Sequence, residues 1–369
     1  MKVKIGTLTK IRTGKLDANA SSKCGAYPFF TCSREPLKID NYSYDCECVL
    51  VAGNGDLNVK YYNGKFDAYQ RTYIIEDNGS GELYVPYLYY FLDNYIEELR
   101  RQAIGGVIKY IKLANLTEAR IELPNKDKQK KIVIILDNVQ SLIDKRQQQL
   151  SKLDELVKSR FVEMFGDLTI TDKNRTYMPM TSICKIIDGD RGKNYPKQEE
   201  FYDKGYCLFL NAKNVTSNGF DFTNCMFITE EKDKFLRKGK LSRGDVVLTT
   251  RGTIGNLAYY SDDVTFDNVR INSGMVILRM NHELVNEIFF VEQFKLQLAE
   301  IKEKVASGSA QPQLPISTMN KIQMLIPEIS KQKDFVSFVE QVDKSKFEIK
   351  QSLEKLELLK KSLMQKYFG

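Results

Sequence analysis

The side chains of this chain best suited to chemistry are cations and amides crowded into turns. Five stretches concentrate them: "TGKLDANA" at 13–20, "FDAYQRTY" at 66–73, "DGDRGKNYPK" at 188–197, "NAKNVTSNG" at 211–219 and "FDNVRINSG" at 266–274. Arg can grip the two acceptors of a guanine edge, Asn and Gln match adenine, and Lys neutralises phosphate. With the Gly-rich turns added, the candidate DNA contacts of the first half are Lys15, Asn54, Lys60, Gln70 and Arg71. Those of the second half are Arg191, Lys193, Asn194, Asn214, Arg251 and Arg270. Solvated turns favour Asn, Asp and Gly for conformational reasons too, so the set as a whole carries the reading, not any single member.

Residues for bond-making are not arranged for it. An amino-methyltransferase needs an Asn/Asp-Pro-Pro-aromatic tetrapeptide, and the chain contains no Pro-Pro. A metal-dependent nuclease needs clustered carboxylates with a Lys. "EEKDK" at 230–234 has the residue types, but such triplets are common in charged sequences. Neither G-x-S-x-G nor H-E-x-x-H occurs. "AGNGD" and "RGTIGN" lack the rest of a phosphate-loop motif and read as strand-to-strand turns. The seven Cys form no framework, and Cys46 and Cys48 would share one face of a strand and pack there. His282, the single His, reads as a surface residue. No catalytic residue, no metal site and no cofactor of its own is therefore expected; the reading is binding rather than turnover.

Such loops need something to position them, and the sequence supplies it twice. "PNKDKQKKIVIILDNVQSLIDKRQQQLSKLDELVKSRFVEMFG" (124–166) matches "PEISKQKDFVSFVEQVDKSKFEIKQSLEKLELLKKSLMQKYFG" (327–369) without a gap. Lys128/Lys331, Gln129/Gln332, Val139/Val342, Leu150/Leu353, Leu153/Leu356, Leu156/Leu359, Ser159/Ser362 and Phe165/Phe368 are identical pairs. Each segment opens on Pro, closes on Gly and is built from good helix formers. About forty helical residues reach on the order of 60 Å, too long for one core to cover, so each helix needs a partner.

The spacing of apolar residues names that partner. Steps of three and four link Leu136, Val139, Ile143, Arg146, Leu150, Leu153, Val157, Arg160 and Met164. The second copy has Val339, Val342, Lys346, Ile349, Leu353, Leu356, Lys360, Leu363 and Tyr367. This is a heptad seam, with Val139, Ile143, Leu150, Leu153 and Val157 facing a partner and Val342, Ile349, Leu353, Leu356 and Leu363 doing the same. Arg146 and Arg160 interrupt one copy where the other has Ile349 and Leu363; Lys346 and Lys360 interrupt the second where the first has Ile143 and Val157. Self-pairing would stack like charges, so the two helices are expected to pair with each other inside one chain.

The rest, residues 1–120 and 169–320, is mixed α/β by pattern. Strand-like runs ("ECVLVAG", "RTYII", "GYCLFL", "GDVVLTT", "GMVIL") are separated by turn residues, and each segment ends in a helical stretch: "LYYFLDNYIEELRRQAIGGVIKYI" and "EIFFVEQFKLQLAEIKEK". "ECVLVAGNGDLNVKYY" at 47–62 faintly echoes "DVVLTTRGTIGNLAYY" at 245–260. The predicted organisation is α+β and duplicated: domain 1–120, helix 121–168, domain 169–320, helix 321–369. With 369 residues, 42% hydrophobic and 28% charged, there is material for two or three cores. A net charge of +7 permits a nucleic-acid partner without demanding one. The opening "MKVKIGTLTKIRTG" has no signal-peptide core and "IVIIL" is far short of a membrane span, so a cytoplasmic location is expected.

Two diverged domains, each followed by a helix that opens with Pro and K-Q-K and ends in "MFG" or "KYFG", resemble the specificity subunit of type I restriction–modification systems. "YPFFTCSREPLKIDNY", "VLVAGNGDLNVKYYNGKFDAYQRTY", "DGDRGKNYPK", "FLNAKNV" and "VLTTRGTIGN" are also similar to its recognition domains. One departure is that Lys128 and Lys331 stand where the family commonly has an acid before Gln. The resemblance implies two target recognition domains, each reading half of a split double-stranded DNA site, with an antiparallel helix pair in a pseudo-twofold arrangement setting the gap. It implies no catalysis in this chain. S-adenosylmethionine would belong to two methyltransferase (modification) subunits, and ATP and Mg²⁺ to restriction subunits joined through the complex. Two other readings stay open: a self-sufficient DNA methyltransferase or nuclease, and a coiled-coil protein scaffold without a DNA role.

Overall fold

The structure, a computed structural model, describes residues 2–170, 172–306 and 313–369, without the side chains of 303–306. The chain forms two compact units, Met1–Gln149 with Glu348–Gly369, and Leu150–Phe347. The two 40-residue helices, Lys126–Phe165 and Ile329–Phe368, each contribute to both units.

Unit 1 holds a six-stranded sheet in the order Thr9–Thr13, Thr72–Asp77, Tyr44–Ala52, Val59–Ala68, Tyr27–Phe30, Leu37–Ile39. All neighbours are antiparallel except Tyr27–Phe30 beside Val59–Ala68. The sheet must curl. Tyr44 pairs with Phe66 at one end of its strand and Ala52 with Thr72 at the other. That strand runs about 26 Å at ~3.3 Å per residue, while the chain from 66 to 72 can cover only about 20 Å. Cys46 and Cys48 lie on this strand and pack in the small core with Phe30, Tyr44 and Phe66. Over the other face lies the helix Val85–Gln102, whose Tyr87, Leu88, Phe91 and Leu92 are buried.

Unit 2 splits its strands between a four-stranded antiparallel sheet (Cys184–Asp188, Met275–Met280, Val246–Thr249, Leu257–Tyr259) and a three-stranded one (Phe227–Ile228, Cys207–Leu210, Val269–Ile271). In the latter, Cys207–Leu210 and Val269–Ile271 run parallel. The helix Glu287–Ala306 takes the place of Val85–Gln102. All five predicted strand-like runs are strands. The first helical stretch is shorter than its pattern suggests: it stops at Gln102, and residues 103–112 form a loop around Gly105 and Gly106.

The frame of the two units is the same to the level of single hydrogen bonds. Lys2–Lys4 pairs with Arg120–Glu122 in one, Tyr177–Pro179 with Gln323–Leu325 in the other, in matching register. A one-turn helix follows each, and its first amide donates to a matching carbonyl: Ile5 N to Ala119 O (2.8 Å), Met180 N to Ile322 O (2.9 Å). Gln129 and Gln332, both fully buried, then clasp the helix before them. Gln129 accepts from Tyr84 N (2.8 Å) and donates to Glu82 O and Pro124 O (both 2.8 Å). Gln332 accepts from Asn286 N (2.9 Å) and donates to Leu284 O (2.9 Å) and Pro327 O (2.8 Å).

Each unit also seats the far end of one long helix. Phe368 packs on Tyr87 (5.0 Å between ring centroids) in unit 1, and Phe165 packs on Phe289 (5.1 Å) in unit 2. The helices run antiparallel within each unit. In unit 1, Met364 joins the core containing Ile132, Val133 and Leu136, and Lys360 donates to Gln140 (2.6 Å). In unit 2, Lys346 pairs with Asp154 (2.8 Å) and the Arg160 guanidinium lies over Phe338 (5.8 Å). Burial alone would lower the Lys346 pKa, but the Asp154 carboxylate raises it instead. The lysines Lys360 and Lys346 thus meet polar partners, Gln140 and Asp154, on the other helix. Val139, Ile143, Val157 and Val342 are buried, and Leu150, Leu153, Ile349, Leu353, Leu356 and Leu363 are half-buried.

Candidate nucleic-acid interface

In unit 1 three loops interlock at one edge of the curled sheet. Gly14 N donates to Thr72 O (3.0 Å) and Gln70 N to Leu16 O (2.8 Å), which lays the Lys15 loop against the 69–71 turn. Gly53 N donates to Arg71 O (2.8 Å), which adds the hairpin turn 53–58. Two glycines make this possible: a Cβ on Gly14 would lie 2.1 Å from Ala68 O, and one on Gly53 would lie 2.4 Å from Arg71 O. Exposed Lys15, Gln70 and Arg71 are thus brought together with half-buried Asn54. Lys60 stands apart in a cleft of about 280 Å³ with Arg34, Asp93 and Arg100. It donates to Asn58, and burial lowers its pKa, so it props the hairpin turn as much as it faces solvent.

Unit 2 gathers a comparable set around the turn 272–274. Thr250 N and Arg251 N both donate to Gly274 O (2.8 and 3.2 Å), and Arg191 Nη2 reaches Asp188 (3.1 Å) and Ser273 O (3.4 Å). Buried Asp190 pins the loop beneath, accepting from Arg191 N (2.8 Å) and Arg237 N (2.6 Å). Burial pushes its carboxyl up, but these amides bring it below the usual carboxylate range. Arg191, Lys193 and Arg251 are exposed and Asn194 is half-buried. Beside them opens a cleft of about 760 Å³ lined by Lys213, Thr216, Ser217, Gly252, Thr253 and Lys302 among others.

Two predicted contacts are corrected by burial. Asn214 is 1% exposed and its amide is spent on the backbone: it accepts from Asn211 N (3.0 Å) and donates to Asp221 O and Asn224 O (both 2.9 Å). Arg270 is 5% exposed, bonded to Asp233 (2.5 Å) and to the carbonyls of Lys238 (2.7 Å), Asp233 (2.7 Å) and Leu236 (3.0 Å). Four of its five N–H donors are spent on these partners, because Arg270 sits on a strand, not in the turn its flanking Asn residues suggested. The same contact explains "EEKDK": Asp233, also held by Lys240 (2.6 Å), is a structural anion rather than a metal ligand. His282 is exposed, as expected, with Nδ1 3.0 Å from Glu287. Among the described residues no group of three or more His, Cys, Asp or Glu could hold a metal ion, and no helix is long and apolar enough to cross a membrane.

The faint echo is real but slips by one residue. Both stretches are antiparallel hairpins, yet Ala52 N bonds Asn58 O where Thr249 N bonds Asn256 O (both 3.0 Å), so the second turn is one residue longer. Each turn is stapled by a shared Asn whose amide donates to a neighbouring carbonyl, Asn58 to Cys32 O (2.9 Å) and Asn256 to Val215 O (3.0 Å). Each is also clasped by a residue that follows the domain helix in sequence: Asn54 bridges Tyr110, and Arg251 bridges Gln313. Ile111 N then donates to Gly53 O (2.9 Å), and Leu314 N to Thr250 O (3.0 Å). Sequence reasoning used neither clasp, although the aligned pairs Gln129/Gln332 and Asn58/Asn256 were signals for the frame.

Comparison with known proteins gives a consistent picture. The family described as type I restriction modification DNA specificity domain matches residues 1–155 and 173–360. The chain is 25% identical, over 99% of its length and 87% of the other protein, to the type I restriction enzyme EcoDI specificity subunit of Escherichia coli. It is 22% identical, over 86% of its length and 80% of the other, to the putative type I restriction enzyme specificity subunit S.HindORF215P of Haemophilus influenzae. The crystal structure of a type I restriction–modification system S subunit from M. genitalium matches its fold, with a TM-score of 0.60 at 19% identity, covering 100% of this chain and 96% of that one. A chain from a structural study of complex assembly in the type I system gives 0.56 at 13% identity, covering 100% and 97%.

Proposed function

The chain belongs to the type I restriction–modification DNA specificity family, and from that premise we propose how its halves divide the work. It is the sequence-specificity component of such a system, not its catalyst. Each unit reads one half of a split double-stranded site, unit 1 through Lys15, Asn54, Gln70 and Arg71, unit 2 through Arg191, Lys193, Asn194 and Arg251. The observation that carries this is one frame bearing two unlike reading turns: Asn54 and Arg251 occupy equivalent places clasped by Tyr110 and Gln313. Amide and guanidinium prefer different bases, adenine and guanine.

The long helices form an antiparallel coiled coil in a pseudo-twofold chain and so fix the unread gap. The heptad seam and the partners of Lys346 and Lys360 support this reading. Two modification subunits, carrying S-adenosylmethionine, assemble on this chain, and restriction subunits using ATP and Mg²⁺ join through them, in the cytoplasm where the DNA lies. The test is to incubate DNA with the chain co-purified with its modification subunits, then map methylated bases by single-molecule sequencing. A motif of two short blocks separated by a fixed unread gap is expected. Methylation by the chain alone, or a contiguous motif, would refute the reading.

A further inference from the structure

Unit 1 carries an apolar projection beside its reading turns. After the helix Val85–Gln102 the chain makes a small hairpin closed by reciprocal bonds, Ile104 N to Tyr110 O (3.0 Å) and Tyr110 N to Ile104 O (2.8 Å). Gly105 makes it tight: its φ is +119°, and a Cβ there would lie 2.5 Å from Ile108 O. At the tip Val107 is fully exposed and Ile108 is 63% exposed. Two adjacent aliphatic side chains on a tip held by paired backbone bonds present a fixed apolar surface to a partner.

We propose that this hairpin is a wedge that makes apolar contact with bases of the bound duplex, and so contributes to the choice of the first half-site. The inference rests on the DNA-reading role of unit 1. Continuity points to DNA as the occupant. Gly53 is bonded on one side to Arg71 and on the other to Ile111, and Gly55 N donates to Lys109 O (2.9 Å), so the hairpin shares its base with the Lys15, Gln70 and Arg71 cluster. Charge points the same way: Lys109 and Lys112 flank the tip, are exposed, and have no ion-pair partner among the described residues. Aliphatic side chains meet DNA either at thymine methyl groups or between partly unstacked base steps, and cations beside them hold the phosphates. The corresponding stretch of the second half, 307–312, reads "SGSAQP" and lies outside the described residues.

The test uses the chain assembled with its modification subunits and a duplex that the wild-type complex selects from a random library. Val107→Ser with Ile108→Ser should lower affinity at least about tenfold while leaving the slope of log K against log salt unchanged, because no charge is removed. Val107→Ile should retain affinity, and Lys109→Ala should flatten the slope by ~0.9 for each phosphate no longer neutralised. A double variant that binds the selected duplex as the wild type does overturns the wedge alone. So does one that assembles more weakly with the modification subunits while the complex that does form binds DNA normally, since the hairpin would then be a protein contact. A wild-type complex that selects no sequence overturns both the wedge and the reading beneath it.

Discussion

Replacing Gln332 with Ala tests whether the frame is held by a side-chain clasp rather than by packing alone. The side chain has no exposed surface, and its removal strands the Asn286 amide and the carbonyls of Leu284 and Pro327 together. A buried amide without a partner costs about 1–3 kcal/mol, a carbonyl somewhat less, and the cavity adds to both, so a loss of roughly 3–5 kcal/mol is expected. The effect should be local. Amide hydrogen exchange in the full chain should quicken roughly a hundred- to several-thousandfold in the first turns of the helix Glu287–Ala306. The matching helix of unit 1, Val85–Gln102, should be unchanged. Gln129→Ala should give the mirror result. Gln332→Met should recover packing but not protection, and Gln332→Glu should be no better than Ala, because its second oxygen would face two carbonyls. Exchange rates within a factor of about two of wild type in both Ala variants would refute the clasp.

Two further outcomes follow from the buried charges and the exposed ones. Burial would raise the Asp233 carboxyl, but its bonds from Lys240 and Arg270 hold it below the usual carboxylate range, so its contribution is complete above about pH 4 and disappears as pH falls through the lower folded value. Asp233→Asn should therefore flatten the acid limb of a stability–pH curve, and Arg270→Ala should cost about 3–5 kcal/mol at neutral pH; parallel acid unfolding of wild type and Asp233→Asn would refute this. At the surface, Lys15→Ala and Arg71→Ala should each reduce the salt slope of DNA binding by ~0.9 for each phosphate they neutralise, and Arg251→Ala should relax the second half-site only. Relaxation of both half-sites would contradict the division of labour.

The sequence showed most where a repeat enforced it. The long helices and the five strands were legible because helical periodicity and strand alternation are local patterns that burial obeys. What escaped was set by tertiary contact. The helix end at Gln102 was hidden because the apolar residues after it continue a helical-looking pattern, although Gly105 and Gly106 break it. Asn214 and Arg270 have the same composition around them as Lys193 and Arg251. Only the strand under Arg270 and the carbonyls around Asn214 turn the first pair inward. A turn-rich sequence names the kinds of group that could read DNA; the neighbouring strands decide which of them remain free.

That division explains how one frame can carry two readers. The bonds that fix each turn are made by the backbone, by glycines that only need to be small, and by Asn58 and Asn256, which donate to main-chain carbonyls. None of these depends on what stands at the exposed positions of the turn. Asn54 with Tyr110 and Arg251 with Gln313 fill equivalent places with different chemistry, while the clasps beneath keep equivalent partners at distances that agree within about 0.1 Å. Exposed substitutions away from such bonds usually change stability by no more than about 0.5 kcal/mol, so the reading residues can be exchanged almost freely while the frame cannot. A transplant of positions 15, 54–57, 70–71 and 105–109 from a relative with a different first half-site, leaving Gly53 and Asn58 in place, should therefore move specificity with the turns. Replacing Asn58 or Gln129 should unfold the site before it could change what the site reads.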